Sequence, residues 1–236
     1  MFEDVETLNK LALHGELDII KLSYANYFNV LERYVMLNSG GALGTGVGPL
    51  LISNEALDLT NMSSYRIAIP GIHTTANFLL SYAFPGQLQK NEYIFSAIED
   101  AVLNHEADAG VIIHENRFTY QLKGLHKLMD LGEYWEQQTG MPIPLGGIAI
   151  KRNMDHDIQK KINLLIKESI LSSRKCYPAL SEFVTCHAQE MNEDVMRHHI
   201  DLYVNDYSID LGEKGKMAVQ KMADTIGNSS LLPLFI

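Results

Sequence analysis

Cysteine is nearly absent from this chain. Cys176 and Cys186 are the only two among 236 residues. No CxxC pair exists, so neither a disulfide framework nor a zinc ribbon is readable, and two reduced thiols are expected. The long apolar runs that cross a bilayer are also missing. Positive charge is in deficit, with 19 basic against 29 acidic side chains and a formal net charge of −10. An acidic surface repels phosphate backbones and anionic lipid, which argues against nucleic acid and membrane surfaces as partners. No Gly-Lys-Ser/Thr follows the glycine-rich stretch, no GxGxxG opens a helix and no GxSxG elbow occurs, which removes P-loop, dinucleotide-loop and serine-hydrolase readings. The opening Met1-Phe2-Glu3-Asp4 is acidic where a secretory signal is basic and then apolar, so a cytoplasmic protein is expected.

Apolar residues make up 46% of the chain, enough for a substantial core. Helix and strand patterns alternate over the first two-thirds. Asp4 is placed to cap a helix with Val5, Leu8, Leu11 and Ala12 on one side and Gly15 as its stop. Leu17 to Leu22 reads as a strand emptying into Ser23-Tyr24-Ala25-Asn26-Tyr27. Five glycines between Gly40 and Gly48 mark a loop whose backbone can approach a ligand. Pro49 to Ile52, Tyr65 to Pro70, Tyr93 to Phe95, Gly110 to Ile113 and Lys127 to Leu131 read as further strands. From Asp155 onward the pattern is helical, with one stripe at Ile158, Ile162, Leu165 and Ile166 and another helix starting at Pro178. The expected class is α/β, with a first lobe at 1–64, a second at 65–144, and a return at 145–236 that carries the C-terminal helices. Met141 to Ile150 is rigid, then glycine-flexible, then strand-like, as a hinge between lobes requires. Clefts between lobes favour small molecules.

Two places invite chemistry. After the strand ending at Pro70-Gly71, Thr74 and Thr75 open a helix, where free N–H groups and hydroxyls make an anion site. Thr74 serves equally as a plain N-cap. After the strand at Gly110 to Ile113 comes His114-Glu115-Asn116-Arg117. Open α/β sheets bind ligands beyond the carboxyl ends of their strands, which makes His114 the leading catalytic candidate. His187, His198 and His199 read as ordinary surface or packing histidines. The last two point to different sides of a helix, and no HExxH spacing is present. Glu133 and Glu136 read as a solvated helix face.

Taken in order, several segments resemble the 1,4-dihydroxy-6-naphthoate synthase family of the futalosine route to menaquinone. They are Glu3-Asp4-Val5-Glu6-Thr7-Leu8-Asn9, Lys21-Leu22-Ser23-Tyr24, Ser39-Gly40-Gly41-Ala42-Leu43-Gly44, Gly46-Val47-Gly48-Pro49-Leu50, Pro70-Gly71-Ile72-His73-Thr74-Thr75-Ala76, Ile112-Ile113-His114-Glu115-Asn116-Arg117-Phe118-Thr119-Tyr120, Leu131-Gly132-Glu133-Tyr134-Trp135, Pro142-Ile143-Pro144-Leu145-Gly146-Gly147, His187-Ala188-Gln189-Glu190 and Tyr203-Val204-Asn205. The resemblance implies a two-lobed fold like the type II periplasmic binding proteins, used as an enzyme. It implies a lyase that cleaves cyclic dehypoxanthinyl futalosine to 1,4-dihydroxy-6-naphthoate and a sugar-derived fragment, with no metal or organic cofactor. The family's catalytic histidine falls on His114, as general base. Its substrate-binding groups fall on Ser23 and on Thr74 and Thr75, and the glycine loop around Gly41 lines the cleft.

The family opens with a strand, a Ser-Pro-Cys-Pro-Asn-Asp loop and a helix that have no counterpart here. An open strand edge in the first lobe is the expected consequence, with a homodimer through that edge as one compensation. Two other readings stay open at this point: a solute-binding protein that shares the fold and does no chemistry, and an inactive shortened homologue. His114 separates the first from the enzyme, because a pure binder has no need of a histidine at a strand tip.

Overall fold

In a computed structural model, residues 1–188, 192–228 and 230–236 are described. Of the stretch His187-Ala188-Gln189-Glu190, the last two residues lie outside the described residues, as does Met191. The elements follow in chain order as α1 (Val5–His14), β1 (Ile19–Ser23), α2 (Tyr24–Tyr27), β2 (Tyr34–Met36), β3 (Ala42–Gly44), β4 (Leu50–Ser53), β5 (Arg66–Ile69), α3 (Thr75–Ala83), β6 (Gln89–Glu92), α4 (Ile98–Leu103), β7 (Ala109–Ile112), α5 (Asn116–Thr119), β8 (His126–Asp130), α6 (Leu131–Thr139), β9 (Ile143–Lys151), α7 (His156–Cys176), α8 (Glu182–His187), α9 (Glu193–Tyr203), α10 (Asp206–Ile209) and α11 (Gly212–Ile226).

These strands form two sheets. The first has the order β1-β9-β2, with β3 also on β9, and every pairing is antiparallel. The second has the order β6-β5-β7-β4-β8. There β5 runs parallel to β6 and β7, while β4 runs antiparallel to β7 and β8. Alternation along the second sheet's strands sorts its side chains between two faces. Leu51, Ile67, Ile69 and Val111 join the main core with Leu79 of α3 and Trp135 of α6. Leu50, Ile52, Ala68 and Ile112 face the other way, onto Ile98 and Val102 of α4. With both faces covered, these strands are apolar at nearly every position, which is why they stand out as runs in the sequence. In the first sheet, Val35 and Ile150 pack with Ile162 and Ile166 of the α7 stripe.

Local chemistry sets the ends of the elements. The Asp4 carboxylate accepts from the N–H groups of Glu6 and Thr7, and Gly15 closes α1 in the left-handed region at φ 71°. Just before β4, the chain at Gly48 touches Gly132 at the start of α6. A Cβ on Gly48 would lie 2.3 Å from the Gly132 Cα, so both positions require glycine.

The structure moves three boundaries. First, β4 belongs to the second sheet, so the chain leaves the first sheet between Gly44 and Leu50 and not at residue 65. Flanking apolar character does not tell which sheet a strand joins. Second, the edge strand is Gln89–Glu92 and not Tyr93 to Phe95, where Phe95–Ala97 forms a 3₁₀ turn. An edge strand bordered by solvent carries polar residues and hides from an apolar search. Third, Pro178 does not start a helix. The next one begins at Glu182, capped by the Ser181 hydroxyl.

Among the described residues, β1 has β9 on one side and no strand on the other. The Asp18 carbonyl accepts from the Lys151 N–H at the foot of this pair. Antiparallel alternation then turns the backbone groups of Ile19, Lys21 and Ser23 outward. The outward N–H of Ser23 is taken by the Asn9 side chain.

Candidate active site

A cavity of about 700 Å³ lies between the sheets. Lys21, Ser23, Thr74, Thr75, Phe95, His114, Glu115, His199 and Tyr203 are among its lining residues. Of the five positions singled out in the sequence, Ser23, Thr74, Thr75 and His114 therefore meet in one cavity. Gly41 lines a neighbouring cavity of about 630 Å³, beside Ile162 and Ile166 of α7. Its carbonyl accepts from the Ser208 hydroxyl, and a Cβ there would meet Leu211 at 3.0 Å. Its neighbour Ala42 reaches both cavities.

The first group of polar residues is largely committed to protein partners. Ser23 ends β1, and its hydroxyl accepts from Asn9 Nδ2 at 3.0 Å while its N–H donates to Asn9 Oδ1 at 2.9 Å. Asn9 Nδ2 also reaches the His73 carbonyl at 3.2 Å, and the Asn9 carbonyl accepts from Asn26 Nδ2 at 2.9 Å. One buried asparagine thus ties α1, β1, α2 and the loop before α3. The Thr74 hydroxyl donates to the Gly71 carbonyl at 2.8 Å and accepts from the Asn77 N–H at 3.1 Å, which makes Thr74 the N-cap of α3. The Thr75 hydroxyl donates to the Leu145 carbonyl of β9 at 2.7 Å and accepts from the Ala25 N–H of α2 at 3.3 Å. It joins the second lobe to the first. With the hydrogens of both threonine hydroxyls spent, the donors left for an anion are the Ser23 O–H and the N–H groups of Thr75 and Ala76, which have no intrahelical acceptor in the first turn of α3. Glu6 holds the same loop from below, accepting from the His73 N–H at 3.1 Å and from His73 Nδ1 at 2.6 Å.

The opposite wall is built from rings. His114 follows β7 with φ 57°, a left-handed backbone that a non-glycine residue seldom adopts and that concentrates at functional sites. Its imidazole stands edge-on to Phe95, with centroids 5.2 Å apart, and 5.8 Å from the ring of His199. Burial, then His199, then Lys21 hold the His114 pKa at about 4. Burial and Lys21 hold His199 at about 4 as well. Both rings are therefore neutral at pH 7, with a lone pair to offer. Lys21 is accessible from the cleft, and surrounding protein lowers its pKa. Tyr203 stands edge-on to His199 at 4.7 Å, and burial pushes its hydroxyl up to about 12.

The rest of the His-Glu-Asn-Arg stretch divides by role. Asn116 donates to Glu99 at 2.6 Å, and Arg117 pairs with Asp130 at 2.7 Å while also donating to the Gly48 carbonyl. These two brace the loop. Glu115 points to α9, with Oε2 3.7 Å from His199 Nδ1. His114, Glu115 and His199 offer ligand atoms within 4.8 Å of one another, the one such trio among the described residues. The Lys21 charge that faces both imidazoles opposes a cation there.

Sequence reasoning missed Lys21, Asn9 and His199. His198 and His199 do part company, His198 going to Phe118 at 6.1 Å. But His199 is not an ordinary packing residue, because it reaches His114. A signal existed in the spacing: Met196, His199 and Tyr203 share one face of α9, and all three line the cavity. Glu136 is likewise more than a solvated residue, since its carboxylate accepts from the Gly46 N–H at 2.7 Å.

The family model described as menaquinone biosynthesis matches residues 1–227. The chain belongs to that family. A relative named 1,4-dihydroxy-6-naphthoate synthase from Thermus thermophilus is 41% identical over 241 residues, covering 100% of this chain and 88% of the relative. Another of the same name from Streptomyces coelicolor is 39% identical over 98% of this chain and 83% of its own length. A crystal structure of an Archaeoglobus fulgidus protein superposes with a TM-score of 0.89 at 31% identity, over 96% of this chain and 86% of that one. An alkanesulfonate-binding protein from Xanthomonas axonopodis superposes with a TM-score of 0.66 at 15% identity, over 98% and 82% of the two chains, and shares the fold alone. The menaquinone-biosynthesis member thus has the two-lobed, periplasmic-binding-protein-like architecture expected from its sequence. Among the described residues, no helix is long and apolar enough to cross a membrane.

Proposed function

We propose that this chain is a carbon–carbon lyase acting in the cytoplasm, which cleaves cyclic dehypoxanthinyl futalosine to 1,4-dihydroxy-6-naphthoate, with His114 as general base. The observation that carries this reading is the placement of His114. A neutral imidazole stands at a strand tip, on a strained backbone, in a cleft large enough for a fused-ring sugar derivative.

The lobes, one of residues 1–64 without β4 together with 145–236 and the other of 65–144 with β4, close over the substrate. The N–H groups of Thr75 and Ala76 and the Lys21 ammonium receive its anionic and polar groups. Ser23 and the two threonines set the shape of that floor, and the glycine loop at Gly41 and Ala42 borders it. His114 accepts the proton of a substrate hydroxyl. That oxygen becomes a carbonyl as the adjacent carbon–carbon bond breaks, and the bond's electron pair passes into the conjugated ring system. The sugar-derived fragment leaves. A neutral base suits this step, because an imidazolium at pH 7 could not take the proton.

The test is direct. The purified chain is incubated with cyclic dehypoxanthinyl futalosine, and 1,4-dihydroxy-6-naphthoate is followed by chromatography and absorbance. Product formed in proportion to enzyme is the expected result. A folded chain, verified by circular dichroism, that forms no product overturns the reading.

A further inference from the structure

We infer that His199, backed by Glu115, is a second base that contacts the substrate from the helical side of the cleft, beside His114. The two residues come from distant parts of the chain. Glu115 sits just past β7 in the second lobe, and His199 lies on α9 among the C-terminal helices. Folding brings Oε2 of one to 3.7 Å from Nδ1 of the other. The glutamate side chain is largely buried at 14% exposure, while His199 keeps 33% of its side chain accessible in a cavity that it shares with His114.

The chemistry follows from the two ring nitrogens. In a neutral imidazole one nitrogen carries the hydrogen and the other carries a lone pair. A carboxylate beside Nδ1 favours the hydrogen on Nδ1 and leaves Nε2 as the acceptor, the arrangement by which an acidic residue orients a catalytic histidine. Tyr203 packs edge-on against the same ring and limits its rotation. The His114 ring meets Phe95 and His199, whereas the ion pair of Glu115 goes to His199. Of the two imidazoles, His199 is therefore the one whose tautomer the protein selects.

When Nε2 takes a proton from a substrate hydroxyl, the electron pair stays on the substrate oxygen and the imidazolium charge falls against the Glu115 carboxylate. The proton returns to solvent once product leaves. Lys21 of β1 works against positive charge on both rings, and the Glu115 carboxylate, 3.7 Å from His199 Nδ1, is the acidic group placed to offset that charge at His199. The dyad itself stands on geometry. Only the reaction it serves rests on the synthase reading.

Two measurements on the full chain test it. In long-range nitrogen–proton NMR spectra, with the His199 signals identified by their loss in His199→Gln, His199 is expected as the Nδ1–H tautomer, and Glu115→Ala is expected to shift the balance toward Nε2–H. An Nε2–H tautomer in the unmodified protein overturns the dyad. In kinetics with cyclic dehypoxanthinyl futalosine, His199→Gln is expected to lower kcat by about 10- to 100-fold, within the range of a positioned base, with KM within about threefold. His198→Gln serves as the control for an adjacent histidine and should keep the original kcat. If the unmodified chain turns over and His199→Gln is equally fast, this inference fails and the synthase reading stands. If the unmodified chain does not turn over, the synthase reading fails and the NMR spectra still decide the dyad.

Discussion

The two walls of the cleft use polar residues in opposite ways. On the floor formed by β1, α1 and the start of α3, every polar side chain singled out is already paired: Ser23 with Asn9, Thr74 with Gly71 and Asn77, Thr75 with Leu145 and Ala25. On the wall formed by the tip of β7 and by α9, the two imidazoles meet other rings and a carboxylate beyond hydrogen-bond distance. A buried polar group left unpaired costs about 1–3 kcal/mol, so the floor's bonds hold the shape of the cleft. An imidazole whose lone pair has no partner in the protein is available to a substrate. The floor is a scaffold, and the imidazole wall is where protons move.

The sharpest way to break this contrast is His114→Ala. With the base gone and the floor intact, kcat for the proposed cleavage should fall by about 10²–10⁴ while the melting temperature stays close to the original. A variant that keeps its turnover would move the chemistry away from this wall.

The reverse experiment removes scaffold and spares the base. Asn9→Ala leaves the Ser23 N–H and hydroxyl and the His73 carbonyl without the Asn9 side chain, while the Asn26 side chain keeps its bond to the backbone carbonyl of residue 9. Urea unfolding should show a loss of about 2–4 kcal/mol, as several buried groups at 1–3 kcal/mol each relax in part. An unchanged midpoint would mean that Asn9 does not hold the floor.

Thr75→Val asks for less. It keeps the shape and removes one donor and one acceptor between the lobes, which should cost about 1–2 kcal/mol and raise KM more than it lowers kcat. Thr75→Ser should retain most of both. If Val and Ser behave alike, the hydroxyl is not the tie between the lobes.

Smallest is the pH dependence of stability. The His114 pKa is held at about 4 in the folded chain against an ordinary 6.5. Between those values the unfolded chain binds more protons, so stability is complete above pH 6.5 and declines as pH falls toward 4. The slope from His114 is on the order of 1 kcal/mol per pH unit at most. Replacing His114 by Gln should flatten the decline seen in unfolding at pH 7, 6 and 5. An equal slope in both proteins would place His114 in contact with water.

How much of this was legible beforehand depends on the distance in sequence over which each feature is encoded. Asp4, Gly15 and Thr74 cap helices within four residues of themselves, so their roles could be read directly. The strands of the second sheet are apolar because both faces are covered, so their runs stood out. His114 could be proposed because a strand tip is a local feature. By contrast, Gln89–Glu92 pairs along a solvent edge and carries no apolar signal. The sheet that β4 joins depends on partners 56 to 80 residues away, at Ala109 to Asp130, which its own four residues cannot name.

The sequence alone determined the class of fold, the family resemblance, the caps and the histidine at the tip of β7, because each rests on neighbouring residues or on an ordered set of short motifs. Only the tertiary structure decided that Asn9 holds Ser23, that Thr75 is spent on joining the lobes, and that His199 comes from 85 positions beyond His114 to stand 5.8 Å from it. The physical reason is that hydrogen-bond saturation and burial belong to pairs of groups. A residue's own spacing shows that it can donate or accept, and its partner across the fold decides whether that capacity goes to structure or is left for a substrate.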